Sequence, residues 1–290
     1  MLTRLQAPPY DALAPHLAKA GAADPETAAA VRAIVDDVRA RGDDAVRDHT
    51  RRLDGRDMAP ADWEVPRAAW RAAALRLPAP LAAALRAAVE RVRAYHERQA
   101  TGVTAEGFLE RDAQGNALGM RVVPLDRVGV YVPGGKASYP STVIMNVVPA
   151  VAAGVTEIVM VTPAGGVNDA VLAAAELAGV SRLFQIGGPQ AIAALAFGTR
   201  TLPRADKIVG PGNRFVTEAK RQVAGVVGID MLAGPTEVLI IADREANPEW
   251  VAADLLAQAE HDTAAQSILI TDDAALADAV ERAVEGQLKT

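Results

Sequence analysis

The sequence contains no cysteine, few aromatic residues and no excess of basic residues. Without cysteine there are no disulfides, no thiolate metal ligands and no thiol nucleophile of the kind that many aldehyde-oxidising enzymes use. The net charge of -6 argues against a nucleic-acid or acidic-membrane partner, because both need a concentrated positive field. No apolar run is long enough to span a membrane and no signal peptide is visible, so we expect a cytoplasmic protein.

The composition is that of a globular protein, with 290 residues, of which 50% are hydrophobic and 23% charged. Residues from about 24 to 99 have helical patterns, with Asp24 as the N-cap, Pro25 at the first helical position and a break at Gly42. The polar stretch 111–116 lies between short apolar segments and predicts a hairpin turn.

From about residue 127, short β-rich runs alternate with alanine-rich helical patterns. This alternation is typical of βα units and predicts an α/β fold with parallel sheets. The predicted strands are 128–132, 158–162, 183–186, 207–209, 238–242 and 267–271. The predicted helices between them are 141–153, 168–178, 189–197, 213–223 and 248–261, and a last helix is expected from Asp272 through Val284.

Three predicted strands are followed by glycine clusters, at 133–136, 187–190 and 210–213. Ligands of open parallel sheets bind beyond the carboxyl ends of the strands, where glycines allow close approach and helix N-termini favour anions. A single cluster is more often a simple turn, but three at equivalent places favour a ligand site. No strand leads into a Gly-x-Gly-x-x-Gly fingerprint, so a nucleotide would be bound in another way. Each cluster carries a polar residue able to contact a ligand: Lys136, Gln190 and Asn213.

Gln258 and His261 are three residues apart on a predicted helix and therefore share one face. An imidazole is a good zinc ligand and an amide oxygen an uncommon one, although a lone histidine near a helix end is more often a surface or capping residue. His16, His49 and His96 lie among the N-terminal helices without companion ligands, and we expect structural roles for them.

Four segments together resemble the histidinol dehydrogenase family in order and spacing: 127–135, 209–213, 233–237 and 258–262. The resemblance extends over essentially the whole chain. It implies two Rossmann-like parallel-sheet domains and an N-terminal helical region. Residues 1–126 would form that region, with its hairpin, packing on the first Rossmann-like domain. Residues 127–236 would form the inner Rossmann-like domain, and 237–290 would begin the continuation of the first, whose sheet is left incomplete.

The resemblance also implies a function and a set of site residues. Members of the family oxidise L-histidinol to L-histidine through the aldehyde, with NAD and zinc, as the last step of histidine biosynthesis, and they work as homodimers. Thr236 stands where the family more often has serine; threonine keeps the hydroxyl and adds a methyl group. By resemblance, the NAD site would contain Tyr131, Gln190 and Asn213; the zinc ligands would be Gln258 and His261; and Thr236, Gln258 and His261 would contact substrate.

In the family, the acid/base Glu-His pair, two further zinc ligands and a substrate-binding glutamate all lie downstream of the position of Thr290. We therefore expect the front two-thirds of the enzyme, with no catalytic residue in this stretch and no activity alone. Without cysteine, the second oxidation is expected to proceed through a hydrated aldehyde rather than a thiohemiacetal. Two alternatives remain: a relative that acts on another small diol or amino alcohol, and a catalytically silent metabolite-binding module.

Overall fold

The computed structural model describes residues 3–6, 8–17, 24–101, 107–134, 139–232, 236–261 and 265–289, without the side chains of His16, Leu17 and His261. The chain forms two compact units. The large unit contains residues 23–233, and the small unit contains residues 1–22 together with 234–290. The helices that follow Asp24 thus share a unit with the first parallel sheet, and the three predicted domain ranges stay a prediction.

The helices and strands alternate as expected beyond residue 127. The helices are α1 Tyr10–Leu17, α2 Pro25–Arg41, α3 Asp43–Asp54, α4 Arg67–Arg76, α5 Ala79–Ala100, α6 Pro140–Ala152, α7 Asp169–Ala178, α8 Gly188–Phe197, α9 Arg214–Val223, α10 Pro248–His261 and α11 Ala274–Gln287. The strands are β1 Phe108–Arg111, β2 Ala117–Met120, β3 Arg127–Tyr131, β4 Glu157–Val161, β5 Arg182–Phe184, β6 Lys207–Val209, β7 Gly228–Ile229, β8 Glu237–Ile241 and β9 Gln266–Ile270.

Local signals in the sequence set the first boundaries of the large unit. The Asp24 carboxylate accepts hydrogen bonds from the backbone N–H groups of Glu26 and Thr27, so it caps α2 as predicted. Gly42, with φ of 59°, separates α2 from α3. The predicted hairpin is also confirmed, because β1 pairs antiparallel with β2.

Five parallel strands form the sheet of the large unit, in the order β5-β4-β3-β6-β7. Successive residues of a strand point to opposite faces of the sheet, and each face has its own buried core. Tyr131 and Val161 pack with α2, α3, α8 and α9, whereas Val130 and Met160 pack with α4 to α7. The sequence did not predict β7, because two residues are too few for a periodic pattern.

The small unit contains a second parallel sheet in which β8 pairs with β9. Helices α10 and α11 cover one face through Val251, Leu255 and Val280. Leu239 and Ile241, two residues apart on β8, are exposed. The last predicted helix begins two residues later than expected, since Asp273 rather than Asp272 precedes it as the N-cap.

Within the described part of the chain, no single helix is both long and apolar enough to cross a membrane. Helices α4 and α5 pass that test only as a pair, and they are bent by 120° relative to one another.

Candidate functional site

The predicted glycine clusters all follow strands of the five-stranded sheet, at the carboxyl edge. The loops after neighbouring strands touch one another through glycine. A Cβ atom on Gly134 would lie 2.4 Å from the Gly166 Cα, and one on Gly187 would lie 2.4 Å from the Pro163 Cγ. Any larger side chain at these positions would force the loops apart. Lys136 falls outside the described residues.

Tyr131 and Gln190 converge at the first turn of α8. The Tyr131 hydroxyl accepts a hydrogen bond of 3.2 Å from the Gly188 N–H. Gly188 has φ of +67°, and a Cβ there would lie 2.6 Å from the Gln190 Oε1. The Tyr131 side chain is buried, which raises its pKa to about 12 because a phenolate would lack solvation there; the bond from Gly188 opposes this rise. Two of the three predicted cofactor residues therefore lie around the same glycine.

Two buried oxygens near this edge have no hydrogen-bond partner. Gln190 is completely buried; its Nε2 donates to the Thr50 Oγ1 at 3.5 Å, but its Oε1 is unpaired. Thr162 directly follows β4, and its buried hydroxyl is also unpaired beneath Gly166. An unpaired buried polar group typically costs about 1–3 kcal/mol, and such groups are uncommon in folded proteins. Their position is that expected of a ligand site, although sequence reasoning did not identify Thr162.

Asn213 has a different local role from the other two predicted cofactor residues. It is exposed and is the N-cap of α9, where its Oδ1 accepts from the N–H groups of Phe215 at 3.0 Å and Val216 at 3.1 Å. The cap occupies the amide oxygen, so the side-chain NH2 is the group it can offer a ligand. Asn213 follows β6, the neighbour of the strand that ends at Tyr131.

An ion pair between the buried Lys220 and the partly exposed Asp230 lies behind the loop that leads to Asn213. The Lys220 Nζ donates to the Asp230 Oδ1 and, at 3.0 Å, to the Gly210 carbonyl. The Asp230 Oδ2 accepts from the Gly210 N–H at 2.8 Å. Sequence reasoning missed this pair. The available signal was that Lys220 falls on the apolar face of α9, at helical spacing from Val216 and Val223.

Thr236 and Gln258, which were predicted to contact substrate, meet in the small unit. The Gln258 Nε2 donates to the Thr236 carbonyl at 3.0 Å and to its Oγ1 at 2.7 Å. Because a carbonyl oxygen only accepts, the nitrogen of the amide must face Thr236. The Oε1 is then the atom available to a metal ion. His261 is the last residue of α10, and its side chain lies outside the description.

Gln258 and His261 would supply only part of a zinc site. Tetrahedral zinc needs four ligands, of which Gln258 and His261 would supply two. Among the described residues, no group of three or more histidine, cysteine, aspartate and glutamate side chains could hold a metal ion.

Two of the other histidines make local contacts with neighbouring side chains. The His49 Nε2 lies 2.8 Å from the Asp37 Oδ2, and burial lowers the His49 pKa below its usual range while the bond to Asp37 opposes that shift. The His96 Nδ1 lies 2.6 Å from the Gln99 Oε1. His16 lies in α1. The side chain of His16 lies outside the described residues, and the structural roles of the three histidines stay a prediction.

Comparisons with known proteins agree with one another. The family model described as Histidinol dehydrogenase matches residues 17–290. A histidinol dehydrogenase of Rhizobium meliloti (strain 1021) is 57% identical over 264 residues, covering 90% of this chain and 60% of the relative. A histidinol dehydrogenase of Chromobacterium violaceum is 56% identical over 256 residues, and the match covers 87% of this chain and 58% of that relative.

A solved structure shows the same likeness in three dimensions. The crystal structure of histidinol dehydrogenase from Elizabethkingia anophelis superposes with a TM-score of 0.86 at 36% identity, covering 98% of this chain and 65% of that one. The chain thus spans about 60% of the length of the curated relatives. Through its sequence, its α/β fold and the matched residues 17–290, the chain belongs to the histidinol dehydrogenase family.

Proposed function

We propose that this chain supplies the NAD-binding side, and part of the substrate and zinc side, of an enzyme that oxidises L-histidinol to L-histidine in two steps. The observation that carries the proposal is the convergence of Tyr131 and Gln190 at Gly188, with the Gln190 Oε1 buried and unpaired. Family membership supports the substrate, since the similar proteins bear the name histidinol dehydrogenase.

The residues at the carboxyl edge fit a dinucleotide. NAD, when bound, accepts the electrons and the hydrogen that leave the alcohol carbon and later the aldehyde carbon. The N-termini of α8 and α9 are the positive ends of their helix dipoles, which favours an anionic diphosphate nearby. The Gln190 Oε1 and the Asn213 amide NH2 supply an acceptor and a donor that would hold the cofactor in one orientation. Tyr131 holds the first turn of α8 through Gly188.

Gln258 and His261 have atoms suited to binding zinc, but they are fewer than the four ligands that zinc needs. Zinc, when bound, orients the amino and imidazole groups of the substrate. Thr236 turns the Gln258 amide so that its oxygen is the donor, and His261 would supply a nitrogen one helical turn away. The hydroxyl of Thr236 would contact substrate. Since two of four ligands are accounted for, we propose that residues 1–290 do not turn over L-histidinol by themselves.

The cofactor site is tested by titrating the chain with NAD⁺ in a calorimeter. Gln190→Met keeps the length of the side chain and removes its polar atoms, and we expect NAD⁺ to bind at least about tenfold more weakly. Gln185→Met is the matched control, because Gln185 directly follows β5 and its Nε2 donates to the Asp62 carbonyl instead. Equal affinity for the Gln190→Met and unaltered chains would refute the assignment of Gln190.

The activity is tested by NADH formation at 340 nm. The 290 residues alone should form no NADH from L-histidinol. A chimera that joins them to the remaining 40% or so of the Rhizobium meliloti relative should form two NADH per histidinol. Turnover by the 290 residues alone contradicts the proposed incompleteness. Preference of the chimera for a sulfonated or sugar-derived diol would instead favour a different substrate within the family.

Assembly and location are proposed on family membership alone. We propose a cytoplasmic homodimer, with no nucleic-acid partner. Sedimentation of the chimera at micromolar concentration should give twice the mass of one chain, and a monomer that is active would contradict the homodimer.

A further inference from the structure

Both backbone groups of Gly210 are held by one ion pair. The Gly210 N–H donates to Asp230 at 2.8 Å, and the Gly210 carbonyl accepts from Lys220 at 3.0 Å. Lys220 and Asp230 also bond directly to each other. The Lys220 side chain is only 2% exposed, so its ammonium group is kept from water, whereas the Asp230 side chain is 27% exposed. A single residue of the loop is therefore fixed through both its donor and its acceptor.

A buried ammonium group is costly, and an apolar side chain of similar size would fill the same space on α9 at lower cost. The neighbours of Lys220 on that face, Val216 and Val223, are apolar and buried. What Lys220 adds over an apolar residue is its pair of bonds to Gly210 and Asp230. The ion pair therefore fixes the geometry of the loop that begins at Gly210.

That geometry places two candidate cofactor residues. Gly210 has φ of +108°, and a Cβ there would lie 2.1 Å from the Tyr131 carbonyl oxygen. The glycine therefore packs directly on the end of β3, whose last residue bonds to Gly188 through its hydroxyl. Three residues after Gly210, Asn213 begins α9. A shift of Gly210 would move the cap of α9 away from the carboxyl edge.

We propose that Lys220 and Asp230 are positioning residues for the cofactor, holding residues 210–213 so that Asn213 and the N-terminus of α9 face it. The inference rests on the proposed NAD site. Neither side chain needs to touch NAD. The Asp230 carboxylate also accepts a hydrogen bond from the Met231 N–H at 2.6 Å. The same carboxylate thus holds both Gly210 and the residue that directly follows Asp230 in the chain.

The test compares Lys220→Met with Arg221→Met. Both changes remove one cation from α9 and break one ion pair, but Arg221 bonds to Glu218, at 2.6 Å, and not to the loop. Amide exchange at Gly210, whose N–H donates to Asp230, is measured without NAD⁺, and NAD⁺ affinity is measured by calorimetry. We expect Lys220→Met to accelerate exchange and weaken NAD⁺ binding, each by at least about tenfold, and Arg221→Met to change each by less than about twofold.

Asp230→Asn provides a milder variant if Lys220→Met fails to fold, because asparagine keeps one acceptor oxygen for the Gly210 N–H. It should give the same two changes, each by about threefold or more. If either variant lowers stability but leaves exchange and affinity equal to those of Arg221→Met, the pair is merely structural and the inference is wrong. Failure of the unaltered chain to bind NAD⁺ refutes the proposed cofactor site, and with it the cofactor role of the pair. Exchange rates then still report whether the pair holds the loop.

Discussion

Gln258 donates two hydrogen bonds to Thr236, one to the backbone carbonyl at 3.0 Å and one to the hydroxyl at 2.7 Å. This relationship joins α10 to the residue just before β8 and fixes which atom of the amide faces away from Thr236. A hydroxyl that orients a metal-binding amide acts as an outer-shell partner of the metal. In the proposed zinc site, the Thr236 hydroxyl would therefore orient a metal ligand as well as contact substrate.

Replacing Thr236 with valine removes the hydroxyl and leaves the backbone carbonyl. We expect zinc affinity to fall by about tenfold, because loss of an outer-shell partner typically costs this much or more. Thr236→Ser is the matched control and should remain within about twofold of the unaltered chain, since it keeps the bond. Competition with a chromogenic chelator measures both. Equal zinc affinity for the valine and serine variants would show that the hydroxyl does not orient Gln258.

Burial of Tyr131 predicts a loss of stability at alkaline pH. Its folded-state pKa, about 12, lies above the unfolded value near 10, so the folded chain holds the phenol proton more tightly. The contribution of the Tyr131 phenol to the free energy of unfolding is fully present below pH 10 or so. It is lost as pH rises through the folded-state pKa, by about 2–3 kcal/mol in total. Urea unfolding at pH 9 and 11.5 should therefore show a smaller loss in Tyr131→Phe than in the unaltered chain. Identical losses would contradict the burial of an ionisable phenol here.

Thr162→Val should stabilise the chain, because it replaces an unpaired buried hydroxyl with a methyl group of the same shape. We expect the free energy of unfolding in urea to rise by about 1 kcal/mol. The control is Thr156→Val, whose hydroxyl donates to the Asp126 carbonyl at 3.0 Å and whose loss should destabilise instead. A decrease in stability for Thr162→Val would mean that this hydroxyl has a partner in solution.

Comparing Gly210→Ala with Gly225→Ala separates the cost of a clash with Tyr131 from the cost of a positive φ. Gly210 and Gly225 both have positive φ, of +108° and +92°, but a Cβ meets the Tyr131 carbonyl at the first and nothing within 4 Å at the second. Both alanine variants should be destabilised by the positive φ. The free energy of unfolding of Gly210→Ala should fall by about 1–3 kcal/mol more than that of Gly225→Ala, because of the clash. Urea unfolding compares them. Equal losses in the two variants would place Gly210 away from the end of β3.

Much of the fold follows from local signals in the sequence. Short β-rich runs that alternate with helical patterns predicted six strands to within two residues at each end, and Asp24 followed by Pro25 predicted the start of α2. The glycine clusters fell on the correct edge because the carboxyl ends of parallel strands share one edge.

Other features depend on contacts between residues distant in the chain. Nothing near Thr162 in sequence indicates that its hydroxyl is unpaired, since its enclosure depends on Gly166 packing against Gly134 of another loop. The position of Lys220 on the apolar face of α9 indicates burial, but its partner Asp230 is identified only in the folded chain. The bond between Thr236 and Gln258 joins positions 22 residues apart. Such pairs become visible only in the folded chain.

The central claim, that residues 131, 188–190 and 210–213 form an NAD site, is tested most directly by amide NMR of the deuterated chain during NAD⁺ titration. We predict saturable shift changes concentrated at the N–H groups of Gly188, Gly210 and Asn213. Absence of saturable changes, or changes concentrated away from the carboxyl edge of the five-stranded sheet, would contradict the claim.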